Sequence, residues 1–217
     1  MTAGDRGRPG EEIASSVLHG FGAVLALAGL AALVTLAAIH GDARHVVGSA
    51  VFGVTLVAMF AASAIYHGVT HGAAKNLLRV LDHAAIYLVI AGTYTPFMLV
   101  SLRGAWGWSL LAVVWTAAVA GCVLAASLGR RHGGLRVAIY IAMGWIGVVA
   151  LRPLLAGLGP GGLSLVVGGG VVYTLGVVFY TWHRLRFNHA VWHAFVLGGS
   201  VLHFLAVLWY VIPRASG

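Results

Sequence analysis

Residues 106–128 read WGWSLLAVVWTAAVAGCVLAASL and include no charged side chain. As an α-helix rising about 1.5 Å per residue, this stretch is long enough to cross the hydrocarbon core of a bilayer, about 30 Å thick. Lipid offers backbone amides no hydrogen-bond partner, so a single stretch crosses it as a helix that satisfies its own backbone. The stretch therefore predicts a transmembrane helix in the middle of the chain.

Similar apolar runs lie on both sides of this stretch. They cover residues 16–39, 46–66, 84–102, 135–155, 163–182 and 190–212. The breaks between runs are short and rich in glycine and polar residues, as connecting turns are. The seven runs predict an all-α integral membrane protein, a bundle of seven transmembrane helices at 13–213. A polar N-terminal tail, 1–12, and a short C-terminal tail, 214–217, flank this single domain.

The composition supports lipid as the main solvent. Of the 217 residues, 60% are hydrophobic and 8% are charged, whereas a soluble domain carries roughly 25% charged residues. The single cysteine, Cys122, excludes an internal disulfide and a cysteine-cluster metal site. The net charge of +8 comes from basic residues spread among the predicted loops. This spread forms no basic patch with interleaved aromatics, so no nucleic-acid partner is expected.

The Lys and Arg residues are divided unequally between the two sides of such a bundle. Nine lie on the side of the N-terminus: Arg6, Arg8, Lys75, Arg79, Arg130, Arg131, Arg136, Arg184 and Arg186. Four lie opposite: Arg44, Arg103, Arg152 and Arg214. Because Lys- and Arg-rich loops stay in the cytoplasm, the count predicts a cytoplasmic N-terminus and an outer C-terminus. The expected location is the cell membrane.

Several histidines lie at or within the apolar runs, where ionisable groups are costly and mark function. In His189-Ala-Val-Trp-His193 the two imidazoles are four residues apart, on one helix face. His67 ends the second run and Asp82 opens the third, so all four residues are predicted at the same cytoplasmic depth. Three neutral imidazoles and an open position for water form a catalytic zinc shell, and a nearby aspartate can orient or deprotonate that water. Zinc is preferred to other imidazole-binding metals only by analogy.

Other polar residues near this depth have alternative interpretations. Ser63 lies one turn before His67 and can bind a ligand, or its hydroxyl can bond its own helix backbone. Asp82 can instead cap the third helix. His19 has the right depth and is an accessory candidate. His203 lies fourteen residues beyond His189, about 21 Å further along the helix, so it cannot share the metal and is interpreted as a packing or hydrogen-bonding residue.

An ordered set of motifs resembles the hemolysin III branch of the progestin and adipoQ receptor (PAQR) family. The motifs are Glu11-Glu12…His19-Gly20, Ser63-Ala-Ile-Tyr-His67, Leu81-Asp82-His83-Ala84 with Ala91-Gly-Thr-Tyr-Thr-Pro96, Gly169…Tyr173…Gly176, and His189-Ala-Val-Trp-His193…His203-Phe204. The resemblance implies a seven-helix bundle with an internal N-terminus. It also implies zinc held by His67, His189 and His193, with Asp82 holding the metal-bound water and Ser63 as the motif serine. Ser15 departs from the family pattern, in which many relatives carry asparagine.

Three functions fit these expectations. The first is a zinc-dependent hydrolase of a membrane lipid amide or ester, because the wider superfamily includes alkaline ceramidases and bacterial relatives resemble membrane-homeostasis proteins. Its partners would be membrane lipids, with a lipid substrate in the bundle interior. The second is a sensor or regulator of membrane state in which structural zinc ties the second and seventh helices. The third is a pore-forming hemolysin, which ranks lowest because the polar groups cluster mainly at one depth whereas a pore is polar along its length.

Overall fold

The computed structural model describes residues 9–69, 72–127 and 132–213 of the chain. Those residues form helices and no strand: α1 Pro9–His40, α2 Ala43–Gly68, α3 Ala73–Pro96, α4 Gly104–Ser127, α5 Gly133–Trp145, α6 Leu151–Thr181 and α7 Asn188–Tyr210. A π-helical segment, Phe97–Leu102, continues α3, and a 3-10 segment, Ile146–Ala150, joins α5 to α6. Residues 1–8, Arg130, Arg131, the end of the fourth run at Leu128, and the tail 214–217 lie outside the described residues.

Within the described residues, six helical segments are long and apolar enough to cross a membrane: Pro9–His40, Ala43–Gly68, Ala74–Leu102, Gly104–Ser127, Gly133–Thr181 and Asn188–Tyr210. Many large apolar side chains on their outer faces are exposed, among them Val17, Phe21 and Val24 of α1. Such faces are stable in contact with lipid and unstable in water. The chain is therefore an all-α, multi-pass membrane protein, as the sequence predicts.

The segment Gly133–Thr181 contains both the fifth and the sixth predicted runs. It has 49 residues, and a straight helix of that length would be about 74 Å long. It is not straight, because Gly159 has φ 68° and ψ 174°, which are not helical angles. The Trp145 Nε1–H donates to Thr174 Oγ1 at 3.0 Å although the two residues are 29 positions apart. The segment therefore folds back on itself at Gly159, inside the predicted break.

Small residues bring α1, α2 and α7 close together. A Cβ at Gly22 of α1 would lie 2.7 Å from the Phe60 ring of α2, and one at Gly29 would lie 2.9 Å from the Phe204 ring of α7. Glycine at these positions lets neighbouring helices approach each other, as in other membrane bundles. Helix α1 thus packs against both α2 and α7.

The ends of α2 and α7 are fixed by local hydrogen bonds. Asp42 caps the start of α2, and its Oδ1 accepts from the Arg44 backbone N–H at 2.9 Å. Asn188 opens α7, and its Nδ2 donates to Tyr180 O at 3.0 Å and to Phe179 O at 3.3 Å. The two hydrogen bonds of Asn188 tie the start of α7 to the last turn of α6, where backbone carbonyls have no helical partner. It fixes the position of the first two turns of α7, which carry the predicted histidine pair.

Candidate metal centre

Three histidines from two helices meet in the bundle. His67 lies in the last turn of α2, and His189 and His193 lie in the first two turns of α7. One ring nitrogen of each lies within 4.8 Å of the corresponding nitrogens of the other two. His67 Nε2 and His193 Nε2 are 3.1 Å apart. The predicted three-histidine cluster therefore assembles, and it can hold a metal ion.

The donor set suits zinc in kind and in spacing. Two histidine nitrogens bound to one tetrahedral zinc at about 2.0 Å each lie about 3.3 Å apart, close to the 3.1 Å between His67 Nε2 and His193 Nε2. His67 and His193 are buried, whereas His189 is partly exposed. The neutral imidazole is the form of histidine that binds metal. Three such ligands leave a fourth tetrahedral position open.

Ser63 and Asp82 lie beside this cluster. The Ser63 side chain is buried, and no backbone carbonyl of the described residues accepts a hydrogen bond from its Oγ. The backbone-bonded alternative for Ser63 is therefore absent from the described hydrogen bonds. Asp82 is also buried, and it interacts electrostatically with His83, His67 and Ser63. A buried carboxylate and a buried hydroxyl that interacts with it thus accompany the three imidazoles.

The two remaining histidine candidates occupy different places. The His19 ring of α1 is buried, with its centroid 3.7 Å from that of His193 and 5.0 Å from that of Phe60. Neither His19 nitrogen has a hydrogen-bond partner among the described residues. His203 lies deeper, where its Nε2–H donates to Val166 O at 3.0 Å. His19 therefore borders the cluster, and His203 has the expected hydrogen-bonding role away from it.

Two glutamates of α1 also reach the cluster, although sequence pattern alone gives them no role. The His67 Nδ1–H donates to Glu12 Oε2 at 3.0 Å, and the His189 backbone N–H donates to Glu11 Oε1 at 2.9 Å. Lys75 Nζ lies 3.3 Å from Glu12 Oε2. The signal that could find them is topology, because both acids precede the first run on the side where the second run ends.

A cavity of about 160 Å³ opens beside the cluster. Its wall includes the polar side chains His19, Ser63, Asp82, His189 and His193. It continues along α3 to Tyr94, twelve residues and about 18 Å beyond Asp82. Arg136, which the charge count places on the side of the N-terminus, is buried and also lines the cavity.

The wall of this cavity as a whole is mostly apolar. The cavity meets a second cavity of about 70 Å³ that shares His203, Thr93 and Tyr94 as lining residues. Leu151, Leu154, Leu163 and Val166 line the second cavity. The polar groups at the histidine cluster thus face a largely apolar interior, which suits a ligand with a polar head and a hydrocarbon chain.

Comparison with known proteins gives consistent matches along nearly the whole chain. The model of a family described as Haemolysin-III related matches residues 8–204. The Hemolysin-3 of Bacillus cereus is 46% identical over 206 residues, covering 95% of this chain and 94% of the relative. The Hemolysin-3 homolog of Bacillus subtilis (strain 168) is 42% identical over 202 residues, covering 93% and 95%. The human Monocyte to macrophage differentiation factor is 26% identical over 209 residues, covering 93% and 84%.

Proposed function

Because the chain belongs to the haemolysin-III related family, the hemolysin III branch of the PAQR proteins, we propose that it is a zinc-dependent membrane hydrolase. Its substrate is an amide or ester of a membrane lipid, and its role is in membrane homeostasis. The observation that carries this proposal is the meeting of three histidines, a buried aspartate and a buried serine beside a largely apolar cavity.

The position of the cluster supports seven crossings. His67 lies at the end of α2 and His193 near the start of α7, and the two rings are in contact. The chain must therefore return to the same membrane face between them, which needs an even number of crossings. Helices α3 and α4 supply one crossing each, so the folded-back segment Gly133–Thr181 supplies two. With the basic residues concentrated on the side of the cluster, the N-terminus is cytoplasmic and the C-terminus is outside the cell membrane.

Each residue of the centre has a distinct role in this proposal. His67, His189 and His193 hold the zinc ion, which acts when bound as a Lewis acid that polarises the lipid carbonyl and makes water more acidic. The Asp82 carboxylate accepts the proton of the attacking water. The Ser63 hydroxyl, which is buried beside Asp82, donates a hydrogen bond to the substrate. The apolar cavity holds the acyl chain and excludes bulk water.

Metal content is the first test. We expect about one zinc per chain in detergent-purified wild type, and loss of that zinc in His67→Ala, His189→Ala and His193→Ala. His203→Ala is the matched control, because it removes a buried imidazole from α7 that lies outside the cluster. A folded wild type that takes up no zinc even when zinc is supplied would overturn the hydrolase mechanism.

Turnover is the second test. Purified protein in lipid vesicles should release fatty acid from a panel of lipid amides and esters. Asp82→Asn keeps the shape of the side chain but removes its basic carboxylate, so we expect a loss of roughly 10²–10⁴-fold in kcat with zinc content unchanged. Zinc-loaded wild type that releases no fatty acid from any member of the panel would contradict the proposal.

A second function rests on the way the cluster joins the helices. Its ligands come from α2 and α7, and Glu11 and Glu12 of α1 contact two of them. A metal in this place would tie three helices together and serve a non-enzymatic sensor or regulator of membrane state. In that case His67→Ala would lower the melting temperature strongly, and wild type would show no turnover. The folded but inactive His67→Ala variant expected of a hydrolase would exclude this function.

Pore formation ranks below both functions. The name Hemolysin-3 belongs to the Bacillus cereus relative, and a conducting path needs polar groups along its length. The walls of both described cavities are mostly apolar. Planar-bilayer recording of purified protein should show no conductance, and steady single-channel currents would favour the pore.

A further inference from the structure

The contact between Glu12 and His67 joins the first turn of α1 to the last turn of α2. Glu12 Oε2 lies 3.0 Å from His67 Nδ1, and the side-chain exposures of the two residues are 25% and 4%. We propose that Glu12 is a positioning residue that fixes the tautomer and ring orientation of His67, so that Nε2 faces the metal. The inference rests on the metal site of the proposed function and adds a residue that acts through one of its ligands.

The tautomer follows from hydrogen-bond chemistry. A neutral imidazole has one N–H and one lone pair, and an ionised carboxylate can only accept. The hydrogen of His67 must therefore lie on Nδ1, where it donates to Glu12. The lone pair then lies on Nε2, the nitrogen that faces His193 Nε2 at 3.1 Å. Carboxylates commonly orient metal-binding histidines in this way, and their loss typically weakens metal binding about 10–100-fold.

Lys75 holds the carboxylate in place. Its Nζ lies 3.3 Å from Glu12 Oε2, donates to Tyr66 O at 2.5 Å, and lies 4.2 Å from the centre of the Tyr66 ring. Tyr66 directly precedes His67, so the Lys75 ammonium contacts the same turn of α2 that carries His67. Lys75 thus restricts the motion of the Glu12 side chain beside His67.

Glu11 provides a matched comparison in the same helical turn. Its carboxylate accepts from the His189 backbone N–H at 2.9 Å, which is one of the unpaired amides at the start of α7. Glu11 therefore supports the helix end and makes no contact with an imidazole nitrogen in the described hydrogen bonds. Removing Glu11 should lower stability with little effect on the His67 tautomer.

Two measurements on the purified full-length protein test the inference. In a competition titration against a chromogenic zinc chelator, we expect Glu12→Ala to weaken zinc binding about 10–100-fold. Glu12→Gln keeps an acceptor but loses the charge, so it should fall between Glu12→Ala and wild type. Glu11→Ala should stay within about threefold of wild type by the same reasoning, and Asp42→Ala, at the other end of α2, should not change zinc affinity.

The second measurement is made on the metal-free protein. Imidazole ¹⁵N chemical shifts should show His67 protonated on Nδ1 in wild type and in Glu11→Ala, and a mixture of tautomers in Glu12→Ala. If the contact is merely structural, Glu12→Ala would have a lower melting temperature but would keep His67 protonated on Nδ1 as in wild type. That result would overturn the inference. If Glu12→Ala does not fold, the shape-conserving Glu12→Gln carries both measurements.

The two readouts separate this inference from the proposed function. Wild type that binds no zinc would remove the proposed function, whereas the metal-free tautomer still decides whether Glu12 orients His67. Wild type that binds zinc, together with a Glu12→Ala variant of equal affinity and unchanged tautomer, would retain the metal site and refute the role of Glu12.

Discussion

At the scale of single residues, Gly169 leaves the space that the His203 imidazole occupies. A Cβ at Gly169 would clash with His203 Nε2 and Cδ2, whereas a Cβ at Gly168 would meet nothing closer than Leu202 Cδ1 at 3.8 Å. The neighbouring glycines of α6 therefore form a natural pair of test and control positions.

We expect Gly169→Ala to destabilise the protein by roughly 1–3 kcal/mol, the usual cost of overpacking a filled interior. Gly168→Ala should leave stability unchanged or raise it slightly, because alanine is the better helix former. Thermal unfolding in one detergent measures both variants. Equal melting temperatures for the two variants would contradict the close contact between α6 and His203.

Residues also differ in how far sequence could identify them. His189 and His193 are predictable because their spacing places both on one helix face, and His67 and Asp82 because topology gives them the same depth. Glu12 cannot be predicted from the sequence pattern, because its role depends on which nitrogen of His67 it contacts. The hydrogen-bond partner of a side chain depends on helix rotation, which the apolar pattern fixes only coarsely.

At the scale of secondary-structure elements, Gly159 determines the course of the segment Gly133–Thr181. Its φ of 68° and ψ of 174° lie in a region that is essentially restricted to glycine. Gly159→Ala should therefore cost about 1–3 kcal/mol and lower the melting temperature. Gly134→Ala is the control, since its Cβ would have no neighbour within 4 Å and its backbone is helical. A Gly159→Ala variant as stable as Gly134→Ala would show that the turn does not need this conformation.

The cap of α2 makes a pH-dependent contribution to the stability of the folded protein. The hydrogen bond from the His45 side chain to Asp42 holds the pKa of that exposed carboxyl below its ordinary value. A carboxyl whose pKa is lower in the folded protein adds stability. This stability is complete above the pKa of the unfolded state, about 3.9, and is lost as the pH falls through the pKa of the folded state. Wild type should therefore lose stability below about pH 4 relative to Asp42→Asn, which caps the helix without titrating.

Melting temperatures of both proteins between neutral pH and about pH 3 provide the measurement. Asp42→Ala, which removes the cap, should melt below both at neutral pH. Parallel pH curves for wild type and Asp42→Asn would mean that the carboxylate charge of Asp42 contributes nothing to the cap.

The positions of elements are more predictable than their internal breaks. The run 135–155 covers α5, the 3-10 segment Ile146–Ala150 and the start of α6. Hydropathy reports that these residues are apolar, but it does not report a change of helical geometry. Near this change of helical geometry, Trp145 donates to Thr174, and Tyr94 OH accepts from the Gly147 N–H at 3.0 Å. Both contacts join residues distant in sequence, which local patterns do not reveal.

At the scale of the whole molecule, the number of crossings has a direct test. Seven crossings place Arg44 outside the cell and Arg184 in the cytoplasm, whereas six crossings place both on the same side. In a Cys122→Ala background, a membrane-impermeant maleimide should label Arg44→Cys on intact cells and Arg184→Cys only after the membrane is opened. Labelling of both positions from the same side would refute the topology and, with it, the shared depth of the metal ligands.

The fold-back at Gly159 also constrains how the family can vary in length. Trp145 and Thr174 are almost equally distant in sequence from Gly159, so they meet only if both arms keep their length. One inserted residue in either arm would turn the helix beyond it by about 100° and separate the pair. The same insertion in the residues between α6 and α7 would only lengthen a loop. Relatives of different length should therefore carry their insertions and deletions outside residues 145–174, so that evolution treats this hairpin as a unit of fixed size.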